Sequence, residues 1–483
     1  MKNPTETSPS ALQDNKLLYV LESFTKTDLN RFHKFILSPY FNAQEVLVNL
    51  YILLLPTLKG QCENYPDKHT LYKNLFKTAY NDVKMRRAFS DLLRLAEDYM
   101  AMEKYRSKPE HMLSDGLHAI NERGLTRLFD VNYTLAKTLQ SKNKNADAEF
   151  YYTAFMLESE LNQHLELEKK RTEKKNLEQV LYHLDAFYII HKLRYACIIE
   201  HYRNVLKIDI DPAMTAAILD EVKTNKYGDI AAIAIYHAVY HMLREADGEP
   251  HLKELKTLLA AQPECIPQAV ERDAYIFAIN FCVKQINRGK LDYLREVFDL
   301  YNVALEKDFL FDKNELSPWD YKNLVTLGLR LKEQKWTESF IKEYRDRIPK
   351  TARSNAYTFN LAKFYFYIQR YDEVLKLLQG VKYDDMFYLL DSKTLLAKTY
   401  YEMTEYEALY SLISSFKVLL RRKRKISDTH RRNYINLLNF ITKLSRADVR
   451  DKKLLQELKD EFEKTTQMAD AGWLREKFEE LGV

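Results

Sequence analysis

The sequence predicts an all-α protein, an N-terminal helical unit followed by a solenoid of α-hairpins. Three observations carry that prediction. Gly and Pro are scarce, at 10 and 12 of 483 residues, and no Pro occurs between Pro109 and Pro212 or after Pro349. Such spans suit helices joined by short turns, because Pro inside a helix costs roughly 3 kcal/mol. Apolar residues recur at helical spacing along most of the chain. In the C-terminal third, a stretch of sequence repeats at an offset of 35 residues.

Residues 1–15 are polar and read as a disordered tail with no secretory core. Residues 16–105 form the N-terminal helical unit. Leu17, Val20, Leu21 and Phe24 make one apolar stripe, and Leu29, Phe32, Phe35 and Ile36 the next, with Thr27 or Asp28 as the expected cap between them. The apolar stretch 46–58 is interrupted by Asn49 and Pro56, and it is too short for a bilayer, which needs about 20 residues. Further helices are expected over 71–99, where Val83, Leu92, Leu95 and Tyr99 give the core stripe. Residues 106–270 read as irregular helical hairpins, including helices at 173–190 and 191–207. Repeats occupy 271–445. Residues 446–483 supply two amphipathic closing helices, LLQELKDEFEKTT and WLREKFEEL.

The repeat is visible by eye. Leu361, Ala362, Lys363, Tyr365 and Tyr371 fall on Leu396, Ala397, Lys398, Tyr400 and Tyr406. An earlier copy places Leu327, Gly328 and Trp336 in the Leu, Ala and Tyr roles, and a fainter one lies at 281–301. The small residue lets two helices of a hairpin approach, and the aromatic packs back from the second. This pattern resembles the tetratricopeptide repeat family, most closely at 325–420, where Tyr371-Asp372-Glu373-Val374 is similar to that family's Y-D-E-A run. The terminal Pro and most Gly positions of the consensus are lost. The whole chain also resembles a bacterial helical-repeat family, through FHKFILSPYFN and the paired repeats, and no activity comes with that resemblance.

Composition bounds the function. Apolar residues are 46% and charged residues 30%, as in a globular chain. Cys62, Cys197, Cys265 and Cys282 are far apart, which fits a reducing, cytoplasmic setting without disulfides or zinc ribbons. The glycines are too widely spaced for a phosphate loop, and no G-x-S-x-G or HExxH motif occurs. No enzyme chemistry and no cofactor are expected.

The resemblance to tetratricopeptide repeats implies a concave groove lined by first helices. By register its lining is Phe359, Lys363 and Tyr367 in one repeat and Thr394, Lys398 and Glu402 in the next. A non-enzymatic scaffold that binds a protein or peptide is therefore the expected function. The stacked Lys363 and Lys398 favour an acidic partner. Seven of the residues from Arg421 to Arg432 are basic, so this stretch carries +6 of the net +5 and the rest of the chain sums to −1. Arg421, Arg422, Lys423, Arg424 and Lys425 are read as a helix end and cationic rim beside that groove.

A second reading is a nucleic-acid-binding regulator. It would use 421–432 or the helix-turn-helix-like segment 71–99, with Lys84, Arg87 and Arg94 facing DNA. A third class is an enzyme with a metal site. His237 and His241 are four apart on one helical face and Glu245 extends it by a turn, a spacing that can supply three ligands. His183, His191, Cys197 and His201 fall on different faces, which argues against a Cys-His pair.

Overall fold

A computed structural model describes residues 15–143, 145–168, 176–206, 210, 214–223, 227–261, 263–378, 386–423 and 426–483. The expected tail lies outside these except for Asn15, whose side chain accepts from the Leu17 backbone N–H and caps the first helix. The described residues form 23 α-helices, two short 3-10 segments and one two-stranded hairpin, so the chain is all-α. It divides into two compact units, Met1–Arg194 with Ala213–Ile233, and Tyr195–Pro212 with Ala234–Val483.

The first unit contains α1 (Lys16–Glu22), α2 (Lys26–Leu37), α3 (Glu45–Leu58), α4 (Lys68–Phe76), α5 (Asp82–Arg106), α6 (Pro109–Glu122), α7 (Thr126–Lys142) and α8 (Ala148–Leu167). It also holds the start of α9 (Leu177–Leu206), α10 (Thr215–Lys223) and the first residues of α11 (Ala231–Arg244). Phe32 is fully buried in the core formed by α1 to α5, and Leu117, Phe129, Ala136 and Leu157 form a separate core beyond it. The Phe32 ring lies 5.7, 5.1 and 5.4 Å from those of Phe24, Tyr51 and Tyr99. The Tyr51 hydroxyl, buried with it, donates to the Leu29 carbonyl at 2.7 Å, so the polar tip is satisfied.

Three local expectations change here. The cap of α2 is Thr25 rather than Thr27 or Asp28, and Asp28 returns the bond to the Thr25 N–H in a capping box. Pro56 does not end α3, which runs on to Leu58. Asn81 caps α5, and from that start Met85, Ala88 and Phe89 turn inward ahead of Leu92, Leu95 and Tyr99. Val83 is 68% exposed and leaves the core stripe. Further along, α9 is one helix of 30 residues where two were expected, because Ile189, Ile190 and Leu193 bury continuously across the presumed break.

The second unit continues α9 and α11. It then holds α12 (Glu249–Ala261), α13 (Gln268–Asn287), α14 (Tyr293–Glu306), α15 (Pro318–Arg330), α16 (Gln334–Glu343), α17 (Lys350–Tyr367), α18 (Tyr371–Leu378), α19 (Met386–Glu402), α20 (Tyr406–Arg422), α21 (Asp428–Arg446), α22 (Lys452–Lys464) and α23 (Ala471–Glu480). A short hairpin, β1 (Phe311–Asp312) with β2 (Glu315–Leu316), separates α14 from α15.

Three hairpins, α15/α16, α17/α18 and α19/α20, close in the same way. The turn residues Lys332, Gln369 and Thr404 have φ of 62, 59 and 58°. The next backbone N–H, of Glu333, Arg370 or Glu405, reaches back to the carbonyl of Gly328, Tyr365 or Tyr400 at 2.8–2.9 Å. This is the Schellman closure of a helix end. It revises one alignment: Gly328 is equivalent to Tyr365 and Tyr400, three residues beyond the Ala362 and Ala397 position. Trp336 is accordingly the third residue of α16, whereas Tyr371 and Tyr406 begin α18 and α20. Gly328 still serves close approach, since a Cβ there would meet Thr337 Oγ1 at 2.3 Å.

The closing helices share one core with the preceding hairpin. Leu455, Phe462, Trp473, Leu474 and Phe478 are buried with Phe416, Leu437 and Ile441.

Left-handed φ costs an L-residue roughly 1–2 kcal/mol, and most at a β-branched one. Glycine removes that strain at an entropic cost of roughly 0.5–1 kcal/mol. Thr404→Gly is therefore expected to raise stability by about 0.5–1 kcal/mol, read as a higher urea midpoint at unchanged slope.

Candidate functional site

Helices α15, α17 and α19 pack side by side. Each contributes a lysine to one polar row, Lys322, Lys363 and Lys398. Lys322 pairs with Asp391, which also accepts from the Tyr434 hydroxyl at 3.1 Å. The Lys322 ammonium lies 5.5–5.9 Å from the ring centres of Trp319, Phe359 and Tyr388, within cation–π range. Lys398 is buried, 2.6 Å from Asp470 and over the rings of Phe366 and Trp473. Lys363 lies between these pairs. Its Nζ donates to Thr326 Oγ1 at 2.7 Å, and no carboxylate pairs with it among the described residues.

The chain's own closing segment occupies part of the expected lining. Asp470 sits just ahead of α23 and reaches Lys398. One turn along α19, Glu402 accepts from Trp473 Nε1 at 2.9 Å and pairs with Lys477 at 2.8 Å. The six expected lining residues therefore divide. Phe359 and Thr394 are buried, and the Thr394 hydroxyl donates to the Leu390 carbonyl. Lys398 and Glu402 are engaged by α23 and Asp470. Lys363 and Tyr367 stay partly exposed. Asp470 and Trp473, missed as site residues, carry no sequence signal that ties them to positions some 70 residues upstream.

Arg421, Arg422 and Lys423 are exposed at the end of α20, while Arg424 and Lys425 lie outside the described residues. Ser427 caps α21, accepting from the His430 N–H. Arg431 turns back and donates to the carbonyls of Leu420 and Ile426 at 3.0 and 3.2 Å, closing the free end of α20.

In 71–99 the basic side chains lie among α5's own acids. Arg87 and Arg94 both pair with Asp91, and Lys84 rests 4.1 Å over the Phe76 ring.

The histidines assemble differently from the expected trio. His241 Nδ1 is 2.8 Å from Glu245 Oε1, and Glu245 Oε2 is 3.0 Å from His251 Nε2. The donors of His241, Glu245 and His251 lie within 4.8 Å of one another, so His251 takes the third place rather than His237. Cys197 is fully buried and donates to the Tyr236 carbonyl. Burial pushes its thiol well above the usual range, which disfavours the nucleophilic thiolate.

Burial, together with the charges of Lys322 and Lys398, pulls the Lys363 ammonium down to about 8, against the opposing pull of Asp470 and Asp391. An unfolded lysine titrates near 10.4. Between those values the unfolded state binds more protons, so the Lys363 contribution to stability rises with pH across about 8 to 10.4 and is constant and unfavourable below. Lys363→Met is expected to be more stable than wild type by about 1–2 kcal/mol at pH 7. The gap should narrow as pH approaches 10, in urea titrations of both proteins.

Comparison with known proteins finds no match to a family model, to a curated protein or to a solved structure.

Proposed function

We propose that the chain is a non-enzymatic interaction scaffold, built in its second unit from tetratricopeptide-like hairpins, that binds an acidic protein segment along the α15–α17–α19 row. The carrying observation is Lys363, an ammonium flanked by two satisfied lysine–carboxylate pairs and itself without a carboxylate partner among the described residues. The chain's own segment supports the chemistry. An aspartate on Lys398 and a tryptophan on Glu402 form a local example of an acidic and aromatic sequence held by this face. The three alike hairpin closures support the repeat reading. Free cysteines, and the absence of any helix among the described residues that is long and apolar enough to cross a membrane, are compatible with a cytoplasmic bacterial protein.

The probe is a labelled peptide with an aspartate three residues before a tryptophan and further acidic residues, read by fluorescence anisotropy with the full chain. Binding should weaken with salt. Lys363→Glu should lower affinity at least tenfold with the far-ultraviolet circular dichroism unchanged. Equal binding by wild type and Lys363→Glu would remove the assignment. Retention of DNA instead, falling steeply with salt, would move the reading to nucleic acid.

A further inference from the structure

The geometry points to a divalent transition-metal site of the zinc class, formed by His241, Glu245 and His251 on the α11–α12 hairpin. The donors come from three places in the local sequence. His241 lies in the last turn of α11, Glu245 follows that helix directly, and His251 lies in the first turn of α12. The turn between them is tight. A Cβ on Gly248 would fall 2.3 Å from the Met242 carbonyl oxygen and 2.7 Å from the Phe281 ring. Only glycine fits without displacement, and the Gly248 carbonyl then accepts from the Leu252 N–H to start α12. That turn folds His251 back so that its ring stacks on His241, with centroids 5.2 Å apart.

The arrangement has the chemistry of a ligand set. Two imidazole nitrogens face opposite oxygens of one carboxylate at 2.8 and 3.0 Å. Donors bound tetrahedrally at 2.0–2.1 Å to one zinc ion lie roughly 3.3 Å apart; the three donors here lie within 4.8 Å of one another, so an ion would draw the two rings together around the carboxylate. An N2O set suits Zn²⁺ and its neighbours better than Mg²⁺ or Ca²⁺, which prefer oxygen. Behind the donors, Glu254 Oε2 lies 3.1 Å from His251 Nδ1. This carboxylate–imidazole contact leaves Nε2 facing inward, as in the outer shells of metal histidines. The Glu245 side chain is 46% exposed, which leaves an entry path and a coordination position for solvent.

The test uses the full, untagged chain, stripped of metal and titrated with Co²⁺. Visible d–d absorption should saturate at about one ion per chain and be abolished by Zn²⁺ competition. His251→Ala and Glu245→Ala, at partly exposed positions, should lose the band with the far-ultraviolet circular dichroism unchanged. Glu254→Gln, which removes no ligand, should weaken binding about 10–100-fold. His430→Ala, on α21, should leave the titration unchanged. No saturable binding by wild type, or binding that survives His251→Ala in a folded protein, would overturn the site.

Discussion

Burying a lysine on a helical face is costly unless a carboxylate meets it, and the seating of α23 against α19 rests on one that is met. Lys398 is buried and meets Asp470. An unpaired buried ammonium would cost several kcal/mol. One turn away, Glu402 poses the same demand with the opposite sign and is met by Lys477 and the Trp473 indole. Two opposite charges on α19 therefore match two opposite charges on α23 and its cap. The reversed pairing would set like charges together, so the ion pairs fix direction and register. The adhesion comes from elsewhere. Trp473, Leu474 and Phe478 are buried with Phe462 and Leu455, and burying a large apolar side chain contributes roughly 1.5–3 kcal/mol.

The hairpins supply the frame for this row. Their turns repeat the same hydrogen bonds with three different residues at the left-handed position, none of them glycine. The repetition keeps α15, α17 and α19 in one layer, and three of their lysines fall on a shared face. Lys363 is the middle of that row and the only one whose hydrogen bond ends on a hydroxyl. The strain of the turns and the burden of that ammonium are both local, and both are carried by a core of rings and leucines around them.

Much of this architecture is legible in the sequence because it depends on near neighbours. The stripe Leu29, Phe32 and Ile36 and the two closing helices follow from spacing within a few turns. The errors arise where a few residues set the phase. Asn81 fixes where α5 begins, and that choice exposes Val83 and buries Met85. Gly328 looks like a counterpart of Ala362 until the hydrogen bonds of the turns are compared. Of the candidate site, the stacking of Lys363 on Lys398 could be read from the repeat register, whereas Lys322 lies one turn earlier, at the position of Phe359 and Thr394, and could not. The engagement of Lys398 and Glu402 could not, because their partners arise from a helix with its own separate pattern. His251 was hidden for another reason: a tight turn at Gly248, rather than helical periodicity, brings it to His241.

The separation of Lys398 from Asp470, 72 residues in sequence, has a consequence for biosynthesis. On a ribosome α19 emerges well before Asp470 has been polymerised. During that interval the face that later binds α23 is bare, with a lysine, a glutamate and the rings of Phe366 and Tyr401 in water or against whatever else is near. Such a nascent chain is open to chaperones and to other acidic, aromatic segments until its own arrives. That face can therefore close only in chains translated far enough to contain α23.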